Sequence, residues 1–309
     1  QFDGDAEQLR ISLESPNFIF SAPLALAAPI SANVHGELAL YPREQGWVIE
    51  AVPLQIQGGD FAADVEGSLW WQNDGSRPFL DVRAVGAAGT PVTAAKHFWV
   101  LNKMPPKTVE WLNRGLVDGH LNVAQALVHG DLDHWPFDHA EGRFEAYGEV
   151  EGVTLDYLPG WPRGQQLAGW VRFLNMSMQA EVSGEVLGSK VDKARGTFGD
   201  LRHPVLALQL AGKGSGEGLL GLIRQSPLQK RFGAAIEGLS VGGHASVDVD
   251  MQVPLKSELG SFQLAGHADL HDADLAESRW GLQIQSANGR LRFTEAGFSA
   301  DELNVLFAD

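Results

Sequence analysis

Along most of the chain, apolar and polar residues alternate with a period of two, the pattern of a β-strand with one dry and one wet face. Leu9, Ile11 and Leu13 alternate with Arg10 and Ser12, and Phe61, Ala63, Val65, Gly67, Leu69 and Trp71 share one face of a second run. The clearest run sets Val247, Val249, Met251 and Val253 against Asp248, Asp250 and Gln252. Leu282 and Ile284 against Gln283 and Gln285 repeat it, as do Leu291 and Phe293 against Arg290 and Arg292. Buried parallel strands read instead as continuous apolar runs, so clean alternation predicts antiparallel sheet with one solvated face.

Helical signals are confined to three places. Thr90-Pro91 opens a segment through Trp99. Pro105 and Pro106 stand where a first helical turn tolerates proline, followed by Val109, Leu112 and Leu116 at helical spacing and Gly119 as the expected stop. The third, Leu219 to Arg224 closed by Pro227, has room for only about two turns at 3.6 residues per turn. A weak internal repeat also runs through the chain. Gly169-Trp170-Val171-Arg172-Phe173 and Gly289-Arg290-Leu291-Arg292-Phe293 share the pattern G-x-[VL]-R-F, and each is followed by an alanine and an acid, Ala180-Glu181 and Ala300-Asp301. Upstream, Val153 to Leu155 and Ala273 to Leu275 match at the same offset, with Trp161 and Trp280 near register, as a repeated sheet module would give.

Composition agrees with the β bias: 36 glycines, 15 prolines and 9 tryptophans stand against 4 methionines. A formal charge of -16, from 39 acidic and 23 basic residues, repels phosphate backbones, so no nucleic acid partner is expected. The absence of cysteine excludes disulfides and thiolate zinc sites and leaves the redox compartment open. No run approaches the roughly 18 consecutive apolar residues of a membrane span. The start at Gln1 and the strand-like run Leu303 to Phe307 near the end suggest a piece of a longer chain.

Four motifs carry possible chemistry, and each has a plainer explanation. Gly216, Gly218 and Gly221 form G-x-G-x-x-G after the strand-like run Val205 to Ala211, with Glu237 where a ribose-binding acid would fall. The helix is too short for a βαβ crossover and the following strands alternate, so a glycine-rich turn is expected instead. Gly238-Leu239-Ser240-Val241-Gly242 matches G-x-S-x-G, but strand-like residues follow where a nucleophile elbow needs a helix. Asp131, Asp133, His134, Asp138 and His139 cluster in sequence around Trp135-Pro136-Phe137 without fixing a ligand geometry, which reads as a solvated turn. Asp248 and Asp250 share one strand face, whereas paired catalytic acids flank a cleft from different elements. Neither cofactor nor metal is expected, and the chain is read as a non-enzyme.

Residues 111 to 162 carry a family resemblance. Trp111-Leu112, Gly130-Asp131-Leu132 with Trp135-Pro136-Phe137, Gly142-Arg143-Phe144, Leu155-Asp156-Tyr157 and Gly160-Trp161-Pro162 resemble the YhdP group of AsmA-like envelope proteins. Leu167 to Phe173, His203-Pro204-Val205-Leu206, Ser226-Pro227-Leu228, Val253-Pro254-Leu255 and the early region Leu9 to Asn17 continue it in order, so it covers nearly the whole chain. The resemblance implies a periplasmic β-groove, anchored in the inner membrane and directed towards the outer one, that carries phospholipid between them. It implies no catalytic residues, and the membrane contacts would lie in parts outside this chain.

Together these readings predict a mainly β fold: a long, twisted antiparallel sheet curled into an open groove with an apolar interior, plus a few short helices. The expected segments are residues 1–90 (β), 91–119 (a helical insertion), 120–215 (β), 216–226 (a short helix) and 227–309 (β). Val171, Phe173, Val247, Val249, Met251, Val253, Leu291 and Phe293 are the candidate lining, where acyl chains of phospholipids would stay out of water. The main alternative is a non-catalytic envelope scaffold with a filled interior; an enzyme acting on glycans ranks third. Protein partners are not indicated.

Overall fold

The computed structural model describes residues 2–4, 8–21, 28–98 and 106–307. Trp99 and Pro105, at the ends of two expected helical segments, lie outside the described residues. The fold is mainly β, a large antiparallel sheet that is not closed, with a few short helices. Two compact units divide it: residues 1–151 with 170–177, and residues 152–169 with 178–309.

In the first unit the strands are β1 (Phe2–Gly4), β2 (Leu9–Phe20), β3 (Ile30–Arg43), β4 (Gly46–Gln57), β5 (Ala62–Gln72), β6 (Phe79–Gly86) and β7 (Thr90–Pro91). A 3-10 helix, Val92–Phe98, and α1 (Pro106–Gly115) lead to β8 (Leu116–Asp131). From β1 to β6 each strand pairs antiparallel with the next, and β6 and β7 pair with β8. Pro106 opens α1 as its spacing predicts, but the helix ends at Gly115 and not at Gly119. From Leu116 the backbone is already strand, and His120 and Leu121 pair with Pro91 and Thr90, so Gly119 lies within β8.

Two strands belong partly to each unit, β9 (Arg143–Leu155) and β10 (Gly164–Leu174). The second unit continues with β11 (Ser177–Val186), β12 (Ser189–Phe198) and β13 (Val205–Ser215). Then come α2 (Gly216–Arg224), α3 (Gln229–Ile236), β14 (Leu239–Val241), β15 (His244–Pro254), β16 (Gln263–Glu277), β17 (Leu282–Thr294) and β18 (Gly297–Phe307). Pairing runs β11, β12, β13, β15, β16, β17, β18, with β14 also on β16. The sequence repeat has a structural counterpart. β9 and β16 begin 120 residues apart, at Arg143 and Gln263, and the two-residue turns Asn175-Met176 and Glu295-Ala296 fall at the same offset.

The helices of the second unit differ from expectation in extent. α2 begins at Gly216, the first residue of the expected short-helix segment 216–226 and three residues ahead of the helical run from Leu219; there the Ser215 hydroxyl accepts from the Gly218 N–H at 3.1 Å and caps it. Pro227 does not end the helical region. It stands just ahead of α3, whose Lys230 N–H donates to the Pro227 carbonyl, a position where proline's missing donor costs nothing.

Glycine inside α2 is unfavourable, with Gly218 and Gly221 each costing about 1 kcal/mol relative to alanine. Tertiary contacts therefore hold this helix. Leu220 is buried, Leu219 packs on the cluster Ala245, Leu270, Ala273 and Ala287, and Arg224 bonds to Glu217 (2.6 Å) and the Leu239 carbonyl (2.5 Å).

Mid-strand glycines sit where neighbouring backbone comes too close for a side chain. A Cβ on Gly36 would fall 2.3 Å from the Pro53 carbonyl oxygen, and one on Gly67 2.0 Å from that of Asp81; both residues have positive φ. The β3–β4 and β4–β5 registers shift beside them, as bulges do where a sheet bends.

Candidate apolar binding face

In the second unit the registers carry the alternation of β15 across its neighbours. Val249 stands opposite Leu210 and Gly266, Gly266 opposite Phe293, and Phe293 opposite Phe298. On the other side Leu210 faces Ala194 and Ala194 faces Val182, so one apolar row crosses seven strands. A parallel row joins Val191, Gly212, Val247, Ala268, Leu291 and Ala300. Beyond it, Met251 lies between Leu208 and Leu264, and Val253 faces Leu206. Six of the eight candidate residues thus share one face. The Phe293 ring lies over Gly266, where an added Cβ would meet its edge at 2.7 Å, so the glycine seats the aromatic.

Val171 and Phe173 belong to the first unit. Val171 Cγ1 lies 3.7 Å from where a Gly148 Cβ would stand, while Arg172 between them bonds to Glu145 at 2.6 Å, so the alternation separates an apolar from an ion-paired side here too. This unit has rows of its own. Ile11, Leu38, Ala51, Gly67, Val82 and Val128 are successive cross-strand partners, as are Leu9, Leu40, Ile49, Leu69 and Leu80. Trp47 and Trp71 pair on the same face and stay exposed at 44% and 57%.

These faces are apolar without being enclosed. Val247, Val249, Met251, Val253, Leu291 and Phe293 are only half-buried, Ile49 is 39% exposed and Phe298 77%. Among the described residues Phe137 is the one large side chain that is fully buried. An ordinary core would bury most such residues.

The opposite face of the second unit is an ion-paired ladder. Arg290 grips Asp269 with two bonds, 2.6 and 2.8 Å, and Arg195 grips Glu181 at 2.8 Å. His267 approaches Asp248 at 3.4 Å, and Gln209 donates to Asp250 at 3.2 Å. The arginine bonds hold the Asp269 and Glu181 carboxyls below the usual carboxylate range; in the first unit Glu145 is lowered likewise by Arg143 and Arg172. Carboxylates so held are acceptors, not proton donors near neutral pH.

The chemical motifs fall into structural positions. Gly216, Gly218 and Gly221 are in α2, where a Cβ on Gly216 would lie 2.3 Å from Val241 Cγ1. Ser240 is within β14, opposite Ala276, and no helix follows it directly. Asp131 accepts from the Asp133 N–H to cap the 3-10 helix Leu132–His134, and Asp133 pairs with Arg77. Among the described residues no group of three or more such side chains is arranged to hold a metal ion.

The candidate list left out Leu206, Leu208 and Leu210 in β13 and Leu264 in β16, which complete the rows. The signal was present, since the three leucines alternate with Ala207 and Gln209. Leu219 was beyond reach, because nothing local to a glycine-rich helix says which sheet face it covers.

The arrangement defines an open β-sheet protein, whose second unit has a continuous apolar face on one side and an ion-paired, solvated face on the other. The sequence profile described as YhdP protein matches residues 1–309, and the chain belongs to that family. A curated relative, the intermembrane phospholipid transporter YhdP of Escherichia coli (strain K12), is 21% identical over 288 residues. That alignment covers 93% of this chain and 22% of the relative, so the chain spans about a fifth of the relative's length. No solved structure matches the chain.

Proposed function

We propose that this chain is a stretch of an intermembrane phospholipid transporter, working in the periplasm, and that its apolar faces hold acyl chains while headgroups remain in water. The observation that carries the reading is the row from Val182 through Val249 to Phe298, continuous over seven strands, half-buried along its length and exposed at Phe298. Each methylene kept out of water contributes about 0.8 kcal/mol. Small equivalent contacts repeated along an open groove let a chain slide, where one deep pocket would trap it. The family and the name of its curated relative support the same reading. No described helix is long and apolar enough to cross a membrane. The ion-paired carboxylates support transport without chemistry on the lipid.

A photo-crosslinking amino acid at Val249, and separately at its outward neighbour Asp250, tests this in cells. Mass spectrometry is expected to find phospholipid adducts at Val249 and none at Asp250. Val249→Asp, at a half-buried position, is expected to abolish adducts elsewhere on the same face while the far-UV circular dichroism is kept. Unfolding of Val249→Asp with no adduct at Val249, Val171 or Phe293 would favour a filled scaffold instead.

A further inference from the structure

The apolar face of the second unit is open at one end and covered at the other. Phe298, opposite Phe293, is 77% exposed, whereas Ala245, Leu270, Ala273 and Ala287 are between 0% and 5% exposed. Ala245 and Leu270 are cross-strand partners on the same face as Val247 and Val249, and Leu270 continues to Gly289 and Leu303. Among the described residues, the one brought onto this cluster from outside the sheet is Leu219 of α2. The helix sits there as a guest: two interior glycines weaken it, and it is moored by the Ser215 cap at one end and Arg224 at the other.

We propose that α2 is a gate on this face. Leu219 occupies the apolar surface that the next stretch of an acyl chain would occupy, so lipid passes beyond the Val247 row only when α2 lifts. This rests on the acyl-chain reading above and adds to it a place where passage is controlled. The chemistry suits an exchange, because a branched four-carbon side chain and a short stretch of alkyl chain satisfy the same alanine- and leucine-lined surface. An element of low local stability is also the kind that opens without unfolding its neighbours.

The absence of cysteine allows α2 to be fixed in place chemically. A Cβ on Gly218 would lie 3.0 Å from Ser189 Oγ, close enough for a Ser189→Cys, Gly218→Cys pair to bridge. Ser189 is 4% exposed and its hydroxyl has no hydrogen-bond partner, so the exchange sacrifices none.

The intact protein is mixed with phosphatidylethanolamine vesicles whose lipid carries a diazirine in its acyl chain, and peptide mass spectrometry maps the labelled residues. With the bridge oxidised, labelling is expected to persist at Leu208, Val249 and Phe293 and to fall about tenfold at Leu270 and Leu303. Dithiothreitol is expected to restore it. Leu219→Ala, which bridges nothing, is expected to raise labelling of the covered residues several-fold. Equal maps in the oxidised and reduced protein, or no change with Leu219→Ala, would overturn the gate while leaving the acyl-chain reading intact. No labelling at Leu208, Val249 or Phe293 in any variant would overturn that reading and the gate with it.

Discussion

Glycine does two different jobs in this sheet, and single substitutions separate them. At Gly67 the backbone has φ +128° and an added Cβ would lie 2.0 Å from the Asp81 carbonyl oxygen, which cannot yield without moving β6. At Gly59 an added Cβ meets nothing within 4 Å. Gly67→Ala is therefore expected to destabilise by about 1–3 kcal/mol, through backbone strain and overpacking. Gly59→Ala is expected to change stability by less than about 0.5 kcal/mol, as surface substitutions do. Urea unfolding of the two variants side by side checks this; equal midpoints would mean that the bend at Gly67 relaxes freely. Gly67 was legible in the sequence only as one more member of an apolar face. The alternation gave its side and gave no hint that it bends the strand, because that depends on a carbonyl of the neighbouring strand.

At the scale of elements, strands were the most legible part, since period-two alternation is local and each strand carries its own copy. The register was not: Val249 stands beside Leu210 and Gly266 because of turn lengths and bulges that no single strand encodes. Helices were legible where proline or regular apolar spacing marked them, as in α1, and poorly so in the second unit. There Gln229–Ile236 has a weak apolar stripe, and Pro227, which reads as a stop, stands between α2 and α3 just ahead of the second. α2 offers a direct test of the balance between propensity and packing. A Cβ on Gly221 has ordinary room, with Gln225 Nε2 at 3.7 Å and Leu187 Cδ1 at 3.9 Å, and its φ is ordinary. Gly221→Ala is expected to stabilise α2 by up to about 1 kcal/mol. Amide hydrogen exchange within α2 should then slow by up to roughly fivefold, with β16 unchanged. Unaltered exchange would show that packing, not helix propensity, limits the opening of this element.

For the whole molecule, the division into two units does not follow a single cut in the chain. Residues 152–169 belong with the second unit and 170–177 with the first, so the chain crosses the division at 151, 169 and 177. The sequence gives no sign of this, because no proline-, glycine- or charge-rich linker marks those points and β9 and β10 run through two of them. What returns to the first unit is structurally specific. Arg172 bonds to Glu145 at 2.6 Å, the Asn175 side chain donates to the Phe137 carbonyl at 3.1 Å and accepts from the Phe144 N–H at 2.8 Å, and the Asn175 N–H donates to the Phe144 carbonyl at 2.8 Å. Asn175 thus closes the turn that encloses Phe137, the fully buried aromatic of the unit. A fragment ending at Glu151 loses all four bonds: the Phe144 N–H and carbonyl lose their Asn175 partners, while the Phe137 carbonyl keeps the Ala140 N–H at 3.4 Å, at about 1–3 kcal/mol for each Phe144 group that stays buried. A fragment ending at Ser177 keeps them. Hydrogen exchange is therefore expected to protect residues 143–150 in the fragment 1–177 and to lose that protection in 1–151, with Asn175→Ala in the longer fragment falling between the two. Equal protection in 1–151 and 1–177 would mean that β9 is held from the β8 side alone and that the 170–177 segment adds nothing to the first unit.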